Sequence, residues 1–372
     1  MANRQLRVIL SGGGTGGHIY PAVATAQALE RALGRGVEIL FVGALGKMEM
    51  TKVPALGYNI KGLPVVGLQR KLSLGNLKLP FKIIKSVYGA QAIIKDFKAD
   101  IVVGFGGYAS GPVLWAAQRL GIPTVLQEQN SYAGLTNKLL ARKAKAICVA
   151  YQNMDTFFDA NKIIYTGNPL RGSFGEESGL RSEALDYFGF SDSKPVVMIV
   201  GGSLGSRTLN DTMKAAYEGL AKRDDIQVIW QTGGYYDKEM ENFVRERGGD
   251  CDTIWRKAFI ERMDYAYAAS DLVVSRSGAC TISELCLVGK PTIFVPSPNV
   301  AEDHQTKNAM ALKSEGAAEI VADSTCVENL WGVVEKLLTD KERLSAMSKA
   351  ITSLGISDSA DRIVNKILEI VE

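Results

Sequence analysis

The sequence is short of histidine and cysteine: two histidines, His18 and His304, and five cysteines in 372 residues. Cys148, Cys251, Cys280, Cys286 and Cys326 are odd in number, widely spaced and never arranged as CxxC, which argues against a disulfide framework or a zinc site. Two histidines are too few for a His-rich metal centre. No apolar run approaches the roughly 20 residues that span a bilayer. The first residues lead straight into a strand-like run, without the apolar segment and small-residue cleavage site of a secretory signal. A reduced, cytoplasmic compartment is the expectation. The GxxxxGK[ST] signature is missing, which excludes a P-loop NTPase.

What is present is ordinary globular composition, 46% hydrophobic and 22% charged, at a length that suggests two or three domains. The net charge of +3 hides an asymmetry. Residues 1–170 hold 20 Lys+Arg against 8 Asp+Glu, whereas residues 171–372 hold 23 against 32. A basic half joined to an acidic half predicts different partners for the two.

Buried-strand runs at Val8–Leu10, Glu38–Val42, Ile101–Val103, Thr124–Leu126 and Ala146–Val149 alternate with segments of helical period such as Ala22–Leu33. The pattern repeats with Val196–Val200, Gln227–Trp230, Leu272–Val274 and Thr292–Val295, and with the helical Asn210–Leu220. Alternating strand and helix means parallel sheets with helices on both faces. The halves also echo each other: Asp100-Ile-Val-Val and Gly121-Ile-Pro-Thr-Val in one, Asp271-Leu-Val-Val and Gly289-Lys-Pro-Thr-Ile in the other. The expectation is α/β: two Rossmann-like domains facing each other across a cleft. They meet near Gly167-Asn168-Pro169, where helical periodicity is absent.

Three glycine-rich loops follow strands: Gly12–Gly17, Gly104–Pro112 and Gly201–Ser206. Glycines let the backbone turn with positive φ and let an anion approach amide N–H groups, and a following helix adds its N-terminal donors. The first loop can be forced into GxGxxG, but the second strand ends in Val42-Gly43 without the acid that a nicotinamide site needs. A single such loop is often only a tight turn. Three point to a pyrophosphate on each side of a cleft.

In order along the chain come Gly13-Gly14-Thr15-Gly16-Gly17-His18-Ile19-Tyr20-Pro21, Gly106-Gly107-Tyr108-Ala109-Ser110-Gly111-Pro112, Glu128-Gln129-Asn130, Gly167-Asn168-Pro169-Leu170-Arg171, Gly201-Gly202-Ser203 and Ser275-Arg276-Ser277-Gly278-Ala279. This ordered set resembles the MurG family, the bacterial N-acetylglucosaminyltransferases of peptidoglycan synthesis, over nearly the whole chain. The resemblance implies a GT-B glycosyltransferase. Its first domain (1–168) would serve acceptor and membrane, and its second (169–372) would bind UDP-GlcNAc. The last helix (about 355–372) would be able to pack back on the first domain. It implies inverting transfer of GlcNAc to the 4-hydroxyl of MurNAc in undecaprenyl-pyrophosphoryl-MurNAc-pentapeptide. It further implies no cofactor and no metal, the leaving UDP being stabilised by backbone donors and helix dipoles. Other cell-wall-synthesis proteins are candidate partners, and the cytoplasmic face of the membrane is the expected location.

On the donor side, the resemblance assigns Ser203 to phosphate and the segment Ala279, Cys280, Thr281, Ile282, Ser283 and Glu284 to nucleotide and sugar, with Glu284 on the ribose hydroxyls. Ile260 would read the uracil edge through its backbone, Gln305 would bind GlcNAc hydroxyls, and Arg171 would lie in the nucleotide site. Thr15, Gly16, Gly17 and Asn130 would approach the donor sugar from the other domain. The bland readings are an N-cap for Ser203, a helix-dipole acid for Glu284 and a surface charge for Arg171. On the acceptor side, Gly14, Gly106, Gly107 and Tyr108 are the candidate pyrophosphate seat. The attacking hydroxyl needs a base: His18 and Glu128 both qualify, and the residues alone do not choose between them.

Residues 61–100 hold eight Lys+Arg. A helix with Pro80 in its first turn is predicted to run to about Phe97, with Ile84, Val87, Gln91 and Ile94 as its core stripe. Leu72, Leu74, Leu77, Leu79 and Phe81 are not needed by that stripe and are interleaved with Lys78 and Lys82. An apolar patch ringed by lysines is the pattern of a protein resting on an anionic membrane; an amphipathic core helix is the plainer alternative. Competing functions are another lipid-acceptor GT-B enzyme such as a diacylglycerol glycosyltransferase, a UDP-GlcNAc epimerase, and a non-catalytic nucleotide-sugar-binding protein. A nucleic-acid partner is disfavoured by the acidic half and the lack of a recognition-helix motif.

Overall fold

The computed structural model describes residues 5–65, 79–170 and 179–372, with the side chains of 79–83 and 301 also outside it. Leu72, Leu74, Leu77, Lys78 and Arg171 therefore lie outside the described residues. Leu79, Phe81 and Lys82 are placed on a helix, but nothing is described of their side chains. Contacts divide the chain into two units, Met1–Arg171 with Asp358–Glu372, and Gly172–Ser357.

The first unit runs β1 (Leu6–Ser11), α1 (Gly16–Leu33), β2 (Val37–Ala44), α2 (Glu49–Ala55), β3 (Ile60–Leu63), α3 (Leu79–Phe97), β4 (Ile101–Gly104), α4 (Ser110–Arg119), β5 (Thr124–Glu128), α5 (Leu135–Ala141), β6 (Ala146–Val149) and β7 (Ile163–Tyr165). The second runs α6 (Arg181–Phe188), β8 (Val196–Val200), α7 (Arg207–Leu220), β9 (Gln227–Gln231), α8 (Asp237–Arg245), β10 (Ile254–Lys257), α9 (Met263–Ala269), β11 (Leu272–Ser275), α10 (Ala279–Val288), β12 (Thr292–Phe294), α11 (His304–Ser314), β13 (Ala318–Ile320), α12 (Cys326–Thr339) and α13 (Lys341–Ser353). The chain then returns to the first unit as α14 (Ser359–Val371).

Both sheets are parallel, ordered β3-β2-β1-β4-β5-β6-β7 and β10-β9-β8-β11-β12-β13. Each is a doubly wound Rossmann-like sheet, as the alternating pattern predicted. Alternation along β1 builds two cores. Ile9 packs with Val87, Ile94, Val113 and Leu114 under α3 and α4, while Val8 and Leu10 pack with Ile19, Val23 and Leu29 of α1 and Ile363, Val364 and Ile367 of α14. In the second unit, Val197, Ile199, Val228 and Trp230 pack against Leu209 and Met213 of α7 and Leu330 and Val334 of α12.

Two expectations need correction. The helix after the first glycine loop starts at Gly16, well before the Ala22–Leu33 segment of helical period, so Gly16, Gly17 and His18 form its first turn and Thr15 is its N-cap. This turn is therefore a helix N-terminus rather than a loop, with His18 N and Ile19 N both donating to the Thr15 carbonyl. Second, Ile84 is not core: it is 52% exposed, while Val87 and Ile94 are buried. At 19 residues α3 is about 28 Å long, whereas the four-residue strands β3 and β4 are about 13 Å, so its early turns overrun the sheet.

Candidate active site

Topology places the site. In each sheet the strand order reverses between the first strand and its neighbour across the sheet, and ligands of such sheets bind outside the carboxyl ends at that reversal. In the first unit these ends are β1 and β4, which carry the first two glycine loops; in the second they are β8 and β11, which carry Gly201–Ser206 and Arg276–Gly278.

The first two loops interlock through missing side chains. Gly107 has φ +84°, and a Cβ there would collide with the Gly13 carbonyl. Gly106 has φ +87°, and its Cβ would stand 3.0 Å from Nε2 of His18. The imidazole thus occupies space that only glycine leaves open. His18 Nδ1 is 2.8 Å from the Gly13 carbonyl oxygen and 3.2 Å from Thr15 Oγ1. A carbonyl can only accept, so Nδ1 carries a proton, and in the neutral ring the lone pair then sits on Nε2. Tyr108, half exposed, lays its ring against Gly14, whose φ is +84°. The Gly14 N–H does not stand open for phosphate: it donates to Glu49 Oε2 at 2.9 Å.

Glu128, at the end of β5, is 2% exposed. Burial pushes its carboxyl pKa up, and its four N–H donors oppose that shift. Oε1 accepts from Asn130 N (3.1 Å) and Asn130 Nδ2 (3.3 Å), and Oε2 from Gly134 N (3.0 Å) and Asn137 Nδ2 (2.8 Å). The carboxylate shapes the turn that carries Asn130. Beside it runs a buried amide chain. Gln127 Nε2 donates to Asn168 Oδ1 (2.9 Å), Asn168 Nδ2 to the Gln129 carbonyl (3.1 Å), and Gln129 Nε2 to the Phe105 carbonyl (2.7 Å) and to Gln127 Oε1. It ties the second glycine loop to the Gly167–Pro169 segment.

In the second unit Ser203 is exposed in its loop, and the N-cap of α7 is Ser206, whose Oγ accepts from Leu209 N at 3.3 Å. The capping role therefore falls to Ser206. Arg276 braces the same loop: one guanidinium nitrogen donates to Ser206 Oγ (2.7 Å), the other to Asp323 Oδ1 and the carbonyls of Val295 and Pro296. Ala279, Cys280, Thr281, Ile282, Ser283 and Glu284 form the first six residues of α10, so Glu284 is a turn too late to be a first-turn acid. Its Oε2 accepts from Tyr267 OH at 3.2 Å. Ile260 is buried. Gln305, second residue of α11, accepts from Ser297 N at 2.8 Å, and its carbonyl accepts from Ser277 Oγ. Glu302 and Asp303, just before α11, both hold positive φ (54° and 52°), a strained backbone for non-glycine residues that fixes the entry to α11.

No group of three or more His, Cys, Asp or Glu side chains among the described residues could hold a metal ion. The chain's one Asp-x-Asp triplet, Asp250-Cys251-Asp252, precedes β10. That is the amino edge of the sheet, opposite the glycine loops. Burial pushes the Cys148 and Cys286 thiols up to about 12, which makes them inert apolar groups. The sequence pattern did not single out Glu49, Gln127 or Tyr267, and gave Arg276 a place in a motif but no role. The signal for Glu49 was indirect: two glycines, Gly13 and Gly43, whose Cβ atoms would strike its side chain.

Tandem Rossmann-like units with glycine loops at each reversal point are the architecture of a GT-B glycosyltransferase. The glycosyltransferase family 28 N-terminal domain matches residues 8–149, and the family's C-terminal domain matches residues 196–363. Over 99% of both chains, the sequence is 50% identical to the UDP-N-acetylglucosamine--N-acetylmuramyl-(pentapeptide) pyrophosphoryl-undecaprenol N-acetylglucosamine transferase of Parabacteroides distasonis. It is 53% identical to the enzyme of the same name from Porphyromonas gingivalis, covering 100% of this chain and 97% of that one. The crystal structure of Acinetobacter baumannii MurG aligns over 98% of this chain and 99% of its own, with TM-score 0.78 and 30% identity. The chain belongs to glycosyltransferase family 28, among its MurG members. A UDP-GlcNAc 2-epimerase from Neisseria meningitidis shares the fold (TM-score 0.67) at 14% identity.

Proposed function

We propose that the protein transfers GlcNAc from UDP-GlcNAc to the 4-hydroxyl of MurNAc in undecaprenyl-pyrophosphoryl-MurNAc-pentapeptide, with inversion. The full-length identity of about 50% to transferases named for that reaction carries the reading. The second unit would hold the donor: Ser203 and the loop amides on the diphosphate, the first turns of α10 on nucleotide and sugar, Glu284 on the ribose, Gln305 on GlcNAc and the Ile260 backbone on uracil. Arg171 is assigned to the nucleotide by the motif alone. Gly106, Gly107 and Tyr108 would seat the acceptor pyrophosphate, while Thr15, the first turn of α1 and Asn130 would approach the donor sugar. Gly14 would shape that seat rather than donate to it, since its N–H is already engaged.

In the reaction, MurNAc O4 attacks C1 of GlcNAc, the C1–O bond to UDP breaks with its electron pair on the diphosphate, and the O4 proton passes to a base. His18 is the better candidate because its hydrogen bond to Gly13 leaves the lone pair on Nε2. Both oxygens of Glu128 are committed to N–H donors, which supports a positioning role for it through Asn130. Loop amides and helix N-termini stabilise the charge on the leaving UDP. The test is transfer of labelled GlcNAc to a soluble acceptor analogue. UDP-GlcNAc should serve as donor and UDP-GalNAc and UDP-Glc should not; no transfer from UDP-GlcNAc would overturn the assignment.

We further propose that the first unit rests on the anionic cytoplasmic face of the membrane. No described helix is long and apolar enough to cross a membrane. The neighbouring helices α3, α4 and α5 each carry exposed apolar side chains: Ile84 and Tyr88, Trp115, and Leu135 and Leu139. The Leu72, Leu74, Leu77, Leu79 and Phe81 patch predicted from sequence is part of the same proposal. Each such side chain contributes about 1.5–3 kcal/mol when fully buried, so Ile84→Asp/Trp115→Asp should weaken co-sedimentation with phosphatidylglycerol vesicles more than about tenfold. Undiminished binding would refute the patch.

A further inference from the structure

Glu49, the first residue of α2, is fully buried, although nothing in the reaction so far uses it. Its Oε1 accepts from Ala44 N and its Oε2 from Gly14 N, each at 2.9 Å. Two acceptor oxygens and no donation is the hydrogen-bonding pattern of a carboxylate. Gly13 and Gly43 exist as glycines around it: a Cβ at Gly13 would strike the carboxylate, and one at Gly43 would lie 2.5 Å from its Cγ. The Gly14 N–H and the Gly13 C=O belong to one peptide group. The N–H donates to Glu49, and the C=O accepts from His18 Nδ1 at 2.8 Å.

We propose that Glu49 is a positioning residue that acts on His18 through the Gly13–Gly14 peptide. A carboxylate on the amide N–H polarises the peptide and makes its carbonyl a stronger acceptor, because hydrogen bonds in series reinforce one another. The stronger acceptor holds the His18 proton on Nδ1 and raises the basicity of Nε2. This is the work a carboxylate does directly on the histidine of a catalytic triad, with a peptide unit placed between. The arrangement also fixes the ring's direction, since the Gly13 carbonyl is clamped from behind by Glu49 and from the side by Gly107. The inference rests on His18 as the base.

Nitrogen-15 NMR of the full-length protein labelled at histidine tests it, because the chain has only two histidines and the His18 signals are those lost in His18→Ala. In the wild type, neutral His18 should be the Nδ1–H tautomer. In the near-isosteric Glu49→Gln variant the population should move toward Nε2–H. With it, kcat should fall about 10–100-fold, the usual cost of losing a group that orients a functional histidine, with little change in KM for UDP-GlcNAc. Gly43→Ala, which displaces the carboxylate without removing its charge, should move the tautomer the same way. A wild-type His18 in the Nε2–H form overturns the proposal before any variant is made. So does a fall in kcat with an unmoved tautomer, which marks Glu49 as structural only. If His18→Ala keeps kcat while Glu49→Gln still shifts the tautomer, the base assignment fails and the relay stands.

Discussion

His18→Ala lowers kcat by about 10²–10⁴-fold, the usual contribution of a general base, while the dissociation constant of UDP-GlcNAc stays unchanged. The size follows from the absence of a substitute. Glu128 has both oxygens engaged by four N–H groups, and Glu49 is fully buried behind the Gly13–Gly14 peptide. The selectivity follows from the division of labour: the proposed donor contacts other than the first turn of α1, Asn130 and Arg171 lie in the second unit. Steady-state kinetics with saturating acceptor and calorimetric titration of UDP-GlcNAc measure the two quantities separately. An unchanged kcat would remove His18 from the chemistry and return it to the acceptor pyrophosphate.

Glu128→Gln should act on the fold first. An amide in place of the carboxylate turns an NH₂ toward either Asn130 or Gly134 and Asn137, donor against donor, and strands two buried N–H groups. At about 1–3 kcal/mol for each unsatisfied group, the loss is about 2–6 kcal/mol. For a unit of this size that lowers Tm by about 5–20 °C. kcat falls with it because Asn130 is no longer held, and the pH profile of the residual activity keeps its shape. A normal Tm with collapsed turnover and a lost acidic limb would instead make Glu128 the base.

The parts of the fold that were legible in the sequence are those whose environment is uniform. Val8–Leu10, Ile101–Val103 and Val196–Val200 are covered on both faces and read as continuous apolar runs. The four strands that the pattern missed, β3, β7, β10 and β13, are the edges of the two sheets. All four are short, and three of them carry charged residues, Lys61 in β3, Arg256 and Lys257 in β10 and Glu319 in β13, as edge strands that keep polar groups toward water do; β7 is only three residues long. The glycine loops were legible because the positive φ at Gly14, Gly106, Gly107, Gly202 and Gly205 is adopted by glycine at no steric cost. Glu49 was not, because Gly46-Lys47-Met48-Glu49-Met50 looks like a surface turn and its two partner glycines are 30 residues apart in sequence. Ile84 was misread because periodicity reports a stripe without reporting how far the sheet beneath it extends.

The return of α14 to the first unit sets an order on biosynthesis. Ile363, Val364 and Ile367 complete the core beneath α1, yet they leave the ribosome only after all of Gly172–Ser357 has been made. At roughly 5–20 residues per second, the first unit waits about 10–40 s for its last helix. Through that interval the surface covered by α14 stays open, while the second unit can already close its own core. The half that begins first is the half that finishes last, so the nascent chain carries an exposed apolar face through about half of its synthesis.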